Sequence, residues 1–254
     1  MHIEPKFRRD ADGLSGWRCD FHIHTAEDPK DHVAHTSVDL VERAAQLGFS
    51  AVAITLHEGA FPLEAAQARA EELGLCLIPG IELTLEQKHL LALGLPPEVA
   101  RSIGSIADLR AVRREYGDSL FLIAPHPFYV VAHSMNHRFG DWVDLFDAVE
   151  VTRLQTQWIS RNGPALRAAK QHGLPIVCNS DTHHLRHFGR HFSVVEGAET
   201  PTPQSIFSGI RRGAVTAVCP SLSTPAFIRE LFDIFFLHPY QKIRSPKPPV
   251  VYDG

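Results

Sequence analysis

The chain has 254 residues, 44% hydrophobic and 21% charged, with a formal net charge of −4, the balance of an ordinary globular protein long enough to bury a sizeable core. The acidic balance argues against a protein built mainly to bind nucleic acid, and no apolar run reaches the ~20 residues of a membrane span; the longest candidate, 227–237, is broken by Arg229, Glu230 and Asp233. Cys19, Cys76, Cys178 and Cys219 each sit in an apolar run and form no CxxC pair, which reads as free thiols in a reducing compartment; with a polar stretch over 1–16 that is no secretory signal, a cytoplasmic location is expected.

In chain order, an N-terminal extension over 1–16 is followed by a short apolar strand ending in Asp20-Phe21-His22-Ile23-His24. Strand alternation puts Asp20, His22 and His24 on one face and Cys19, Phe21 and Ile23 on the other. A polar loop over 26–35 leads to a helix capped by Ser37 and ended by Gly48. The buried strand 51–55 ends in Leu56-His57, and a helix over 63–73 is closed by Gly74. The strand 75–81 ends in Glu82, and another run begins at His89. A helix over 103–116, capped near Ser105, precedes the strand 120–124, which runs into Pro125-His126-Pro127. Further strands follow at 148–152, 175–179, 192–195 and 214–218, with helices over 160–172 and 202–212 and a short helical piece at 143–146. Alternating strands and helices with short connections predict a parallel sheet wound by crossover helices, in about seven repeats with no linker between halves. The expected architecture is α/β: one closed barrel over 17–220. A helix over 221–237 and a Pro-rich extended end at 245–254 would form a tail spanning 221–254. The Gly-rich phosphate loops of nucleotide folds are absent.

The unusual feature is histidine, sixteen in all. In parallel α/β folds the working side chains lie at the C-terminal ends of strands. Here those ends carry His22 and His24, His57, Glu82, His126, and Asp181 with His183, and His89 lies just beyond Glu82. Packing so many ionisable groups together without cations would leave them badly desolvated. There are more of them than one tetrahedral site uses, so two or three divalent metal ions are implied. Zinc, manganese and iron all suit histidine and carboxylate donors.

In this order, Asp20-Phe21-His22-Ile23-His24, Leu56-His57, Pro79-Gly80-Ile81-Glu82, His89-Leu90-Leu91, Pro125-His126-Pro127 and Ser180-Asp181-Thr182-His183 resemble the motifs of the PHP (polymerase and histidinol phosphatase) superfamily over residues 17–218. The resemblance implies a distorted seven-stranded (β/α)7 TIM-like barrel with a trinuclear metal centre that hydrolyses phosphoesters. It implies His22, His24, Glu82 and Asp181 on one metal, and Glu82, His89 and His126 on a second. The third would take His57, His183 and a ligand from the loop after His24, for which His32 is chosen over its rivals Asp28 and Asp31. One departure stands out: the family's Thr-Asp-His is Thr55-Leu56-His57 here. Asp20 is expected either to orient His22 or His24 or to be a carboxylate at a strand start with no special role. His183 or the third metal would help the leaving group, so Asp20, Glu82 and His183 are the catalytic candidates.

An anionic substrate needs positive charge, and Arg153, Arg186 and Arg190 follow the later strand ends. The expected function is hydrolysis of a phosphate monoester of a small metabolite or nucleotide, through a hydroxide made available by paired metals. The alternatives are a phosphodiesterase or exonuclease on nucleic-acid ends, a non-catalytic metal-binding regulatory domain, and amidohydrolase-type hydrolysis at carbon. The expected partner is a small phosphorylated substrate, not a membrane or nucleic acid.

Overall fold

Apolar runs and amphipathic stripes become ten strands and eight α-helices in the computed structural model, which describes residues 3–58, 63–129, 132–160 and 162–233. In chain order these are β1 (Phe7–Arg8), β2 (Trp17–Asp20), α1 (Ser37–Gln46), β3 (Ala51–Ile54), α2 (Glu64–Glu72), β4 (Cys76–Leu85) and β5 (Lys88–Leu93). There follow α3 (Pro97–Ser102), α4 (Ile106–Tyr116), β6 (Phe121–Ala124), α5 (Phe139–Trp142), β7 (Ala148–Val151) and α6 (Asn162–His172). The last are β8 (Ile176–Cys178), β9 (Phe192–Val195), α7 (Pro203–Arg211), β10 (Val215–Val218) and α8 (Thr224–Phe232). The end of the helix expected to reach 237 and the Pro-rich segment 245–254 lie outside the described residues.

All ten strands form one sheet, ordered β1-β10-β9-β2-β3-β4-β5-β6-β7-β8. Seven parallel strands were expected, and the sheet departs from that in number and in direction. β2, β3 and β4 are mutually parallel, as are β6, β7 and β8, but β5 and β9 run antiparallel to both neighbours. The reason for β5 is local. Only Glu86 and Gln87 separate β4 from β5, and both adopt positive φ, 47° and 63°. Two residues make a hairpin, whereas a parallel crossover needs a dozen or more.

The sheet curls until its last strand, β8, packs against β9 and β10. Side chains close the seam. The Ser193 hydroxyl accepts from the Cys178 amide and donates to the Cys178 carbonyl, both at 3.0 Å. The regular part of β2 ends at Asp20, short of His24, and beyond it single contacts replace a ladder. The Asp20 carboxylate accepts from the Ser180 amide at 3.1 Å, Asn179 accepts from the Phe21 amide at 3.0 Å, and the His24 amide donates to the Thr182 carbonyl at 3.1 Å. The ends of β2 and β8, which carry the histidines and Asp181, are thereby tied together.

The barrel interior is filled by Cys19, Phe21, Ala51, Ala53, Ile78, Leu91 and their neighbours, and α7 contributes Ile206, Phe207 and Ile210 to the same core. Phe207 stacks on Phe121, the first residue of β6, with ring centroids 4.8 Å apart. The N-terminal end of the barrel is thus plugged with apolar side chains, which leaves the opposite end for polar chemistry. Outside, α1 and α2 pack on β3 and β4, and α3 to α6 cover β5 to β8. The cap of α1 is Thr36, not Ser37: Thr36 and Asp39 form a reciprocal capping box, while Ser37 lies in the first turn and bonds Glu27. The helix expected over 103–116 is α4, which starts only at Ile106 behind its Ser105 cap; α3, over Pro97–Ser102, was not expected.

Candidate metal centre

At the open end of the barrel, buried side chains of opposite charge converge. β4 delivers Glu82, 1% exposed, between the segments that follow β2 and β3. One oxygen, Oε2, lies 3.4 Å from His22 Nε2, 3.3 Å from His24 Nε2 and 3.2 Å from His57 Nε2. The other, Oε1, faces His89 Nδ1 at 2.6 Å and His126 Nε2 at 3.6 Å. Asp181 Oδ1 lies 3.5 Å from both His22 Nε2 and His24 Nε2. A tetrahedral ion with bonds of about 2.0–2.1 Å holds its ligand atoms about 3.3–3.4 Å apart. The distances from the Nε2 atoms of His22 and His24 to Glu82 and Asp181 are close to that spacing. The Nε2 atoms of His22 and His24 are buried without a hydrogen-bond partner, an arrangement that costs free energy unless something else binds them. The donor set fits a divalent cation.

Four donor groups lie within ligating reach of one another: His22, Glu82 and His126; His22, His24 and Asp181; His57, Glu82 and His89; and His24, Asp31 and His57. The last is the surprise. His32 belongs to none of these groups and is half-buried; the neighbouring Asp31 stands where His32 was expected. Asp31 Oδ2 is 2.8 Å from His183 Nε2 and 3.6 Å from His57 Nδ1. The turn that presents it is set by Asp28, whose Oδ1 accepts from the amides of Lys30 and Asp31 at 2.8 and 2.9 Å.

Supporting carboxylates hold the imidazoles by their second nitrogens. Glu150 of β7 meets His22 Nδ1 at 3.0 Å, and Asp28 meets the Nδ1 of His24 at 2.8 Å and of His57 at 3.0 Å. Each contact fixes a tautomer and aims Nε2 at the shared carboxylates. Glu150 was not singled out from sequence; its signal is a lone carboxylate in the otherwise apolar run Ala148-Val149-Glu150-Val151. Asp20 does not do this work. It touches the backbone amides of Ser180 and His22, at 3.1 and 3.3 Å, and no imidazole, because it precedes the point where the chain turns into the site. His133, exposed in the loop after β6, stacks its ring on His89 with centroids 4.5 Å apart.

Electrostatics agree with the geometry. Burial disfavours charge on His22 and His24, but Asp181, Glu82, Glu150 and Asp28 outweigh it and raise both well above the usual histidine range. Burial would likewise raise Glu82 and Asp181, but the surrounding imidazoles hold both well below the carboxylate range. His89 is pushed down to about 4 by burial, with His126 and His57 adding to the effect. The carboxylates stay ionised and need positive charge beside them, which protons on imidazole or bound cations can supply. Two site residues also carry backbone strain: His126 and Asp181 adopt φ of 30° and 46°, left-handed values that non-glycine residues keep where their surroundings over-determine them.

The three arginines expected to contact phosphate lie together on one flank, lining a pocket closed by α8. Arg153 is buried and bonded to Glu230. Arg186 is exposed, donates to His187 and pairs with Asp233 at 3.5 Å. Arg190 is exposed on the pocket wall. No helix among the described residues is long and apolar enough to cross a membrane.

Residues 20–137 match the PHP domain family model, and residues 160–215 match the PHP-associated model. No curated protein matches the sequence. Among solved structures, a two-domain protein from Bacteroides vulgatus containing a predicted PHP-like metal-dependent phosphoesterase superposes with a TM-score of 0.64 at 18% identity, over 92% of this chain and 74% of that one. PsfC from Pseudomonas syringae superposes with a TM-score of 0.63 at 15% identity, over 91% and 100% of the two chains. The lesion-specific endonuclease PfuEndoQ from Pyrococcus furiosus gives 0.58 at 16% identity, over 80% and 58%. At these identities the likeness establishes the fold. The two family matches show more: the chain carries a PHP domain over residues 20–137 and a PHP-associated region over 160–215.

Proposed function

We propose that the chain hydrolyses a phosphate monoester of a small anionic metabolite. The observation that carries this reading is the quartet His22, His24, Glu82 and Asp181 at the barrel mouth, in which each histidine Nε2 lies 3.3–3.5 Å from a Glu82 and an Asp181 oxygen. His22, His24, Glu82 and Asp181 would hold one cation, and Glu82, His89 and His126 a second. His57 and His183 with Asp31 would hold a third. Bound divalent ions supply an acidified water and neutralise charge developing on phosphoryl oxygens.

The chain's own residues do the rest. Glu82 would serve both of the first two ions, because its two oxygens face different imidazoles. Glu150 and Asp28 keep the ligand imidazoles in one tautomer, and Asp20 holds the backbone that presents His22 against the Asp181 segment. His183, with about a fifth of its side chain exposed, or the third ion would assist the leaving group. Arg190 and its neighbours give the flank the positive charge an anionic ester needs. A small substrate is favoured over a nucleic-acid end because the basic flank is a pocket roofed by α8 and the net charge is −4.

The test is to measure bound metal and to assay aryl phosphate monoester and diester with manganese or zinc. Hydrolysis of the monoester ahead of the diester is expected. Metal-replete protein inert to both, and to a panel of phosphorylated metabolites, would overturn the reading. Glu82→Gln should abolish turnover and lower metal content, and retained activity would refute the ligand assignment.

A further inference from the structure

Arg153 leaves the end of β7 into the barrel flank with only 8% of its surface exposed. One of its Nη groups donates to Glu230 of α8. Its Nε is buried without a hydrogen-bond partner. Arg186, His187, Arg190 and His191 from the segment after Asp181, and Arg229 of α8, complete a pocket of about 420 Å³. Four guanidinium groups line it, and Glu230 is the single carboxylate among the described lining residues.

Glu230 is held as a bound anion would be. Arg186 Nε donates to His187 Nε2 at 2.9 Å, so the His187 proton sits on Nδ1, 2.8 Å from Glu230 Oε1. Burial would raise the Glu230 carboxyl, but His187 and Arg153 bring it down to about 2. The same field acts on His191: burial, then Arg153, push it down to about 4. A structural ion pair alone would explain neither the unpartnered Arg153 Nε nor the other guanidiniums gathered around it, since an isolated pair needs no such surplus.

The pocket adjoins the metal centre. His184 follows His183, and its ring lies 5.7 Å from that of His187 in the pocket wall. α8, which closes the pocket, begins at Thr224, beyond residue 215 where the PHP-associated match ends.

We propose that this pocket binds a second anionic group of the substrate, a carboxylate or phosphate set apart from the scissile phosphoryl group, and that Glu230 occupies it until that group arrives. The proposal rests on the phosphoesterase reading and narrows its substrate class to monoesters carrying a further oxyanion. The planar guanidinium fork suits either oxyanion. Arg190 and Arg229 would meet the incoming group first, being exposed, and the free Arg153 Nε would anchor it when Glu230 swings out with the face of α8 that bears it.

Two measurements test this. In chelator-stripped protein, calorimetric titration with inorganic phosphate should show binding that the exposed pair Arg190→Ala and Arg229→Ala weakens at least tenfold. Glu230→Gln, which keeps the shape and removes the internal charge, should tighten it severalfold; thermal melts verify that each variant is folded. In metal-loaded protein, 3-phosphoglycerate should have a lower KM than glycerol phosphate, and the double arginine variant should shrink that ratio by tenfold or more. No phosphate binding by either the parent protein or Glu230→Gln overturns the pocket. Lost phosphate binding with an unchanged KM ratio overturns the substrate assignment and marks a site for a free oxyanion. Failure of the phosphoesterase reading shows separately, as loaded protein inert to aryl phosphate, and would take the substrate assignment with it.

Discussion

Removing the Glu150 carboxylate should weaken metal binding at His22 without touching a ligand atom. Glu150 Oε2 lies 3.0 Å from His22 Nδ1, and the two side chains are 1% and 0% exposed. No water competes for that contact, so the Nδ1 proton has one destination and Nε2 is left to face Glu82 and Asp181, at 3.4 and 3.5 Å. A ligating histidine that loses such a partner typically costs 10–100-fold in metal affinity, about 1.4–2.7 kcal/mol. Glu150→Gln keeps an acceptor and loses the charge, so it should fall near the tenfold end. Glu150→Ala loses both and should approach a hundredfold. The assay is competition for zinc against a fluorescent chelator, with melts of the stripped proteins to separate metal loss from unfolding. Affinity within threefold of the parent in both variants, while His22→Ala abolishes binding, would refute the orienting role.

The other expectations are shorter. Asp31→Asn should cost one equivalent of bound metal by elemental analysis and His32→Ala none, because Asp31 faces His57 and His183 and His32 is in no donor group; the reverse pattern would restore His32. Leu56→Asp, which recreates the family's usual residue, should lower stability by about 3 kcal/mol or more in urea melts, since Leu56 is 1% exposed and packs in an apolar cluster with Ile54 and Leu77; an unchanged midpoint would show that the site accommodates the carboxylate. The Glu230 carboxyl lies at about 2, below its usual 4.5, so the stability it lends is complete above about pH 4.5 and disappears as pH falls toward 2. Glu230→Gln should therefore be less stable than the parent near neutrality, and the difference should close across that acid window in melts at stepped pH. A constant difference would mean that Glu230 contributes by packing alone.

What the sequence made legible was what depends on period and position. Apolar runs ending in His, Asp or Glu marked the strand ends, and the barrel brought His22, His24, His57, Glu82, His89, His126, Asp181 and His183 to one mouth. What it hid depended on contacts far apart in the chain or on choices within a loop. β5 was taken into a parallel pattern because Glu86-Gln87 has none of the Asn-Gly chemistry that announces a two-residue hairpin, although both residues adopt positive φ. Arg153 looked free because its partner, Glu230, lies 77 residues on. Asp31 and His32 are adjacent, so strand-end logic could not choose between them; the turn held by Asp28 does. Asp20 lies on the same strand face as His22 in an ideal strand, but the regular strand stops at Asp20, so the alternation that linked them no longer applies.

The same loop bears on the one family residue this chain lacks. With Leu56 before His57, the strand end offers the third donor group no supporting carboxylate. The fold supplies one from elsewhere. Asp28 Oδ2 accepts from the His57 amide at 3.0 Å and meets His57 Nδ1 at 3.0 Å and His24 Nδ1 at 2.8 Å, while its Oδ1 holds the turn that carries Asp31. One buried carboxylate thus orients two imidazoles, fixes the backbone of one of them and positions a third donor. A carboxylate at position 56 would instead have to enter the apolar layer that Leu56 shares with Ile23, Val41 and Ile54. The loss at 56 and the Asp-rich loop after His24 are therefore two sides of one arrangement, in which support for His57 comes from the loop and the strand end is given over to the core.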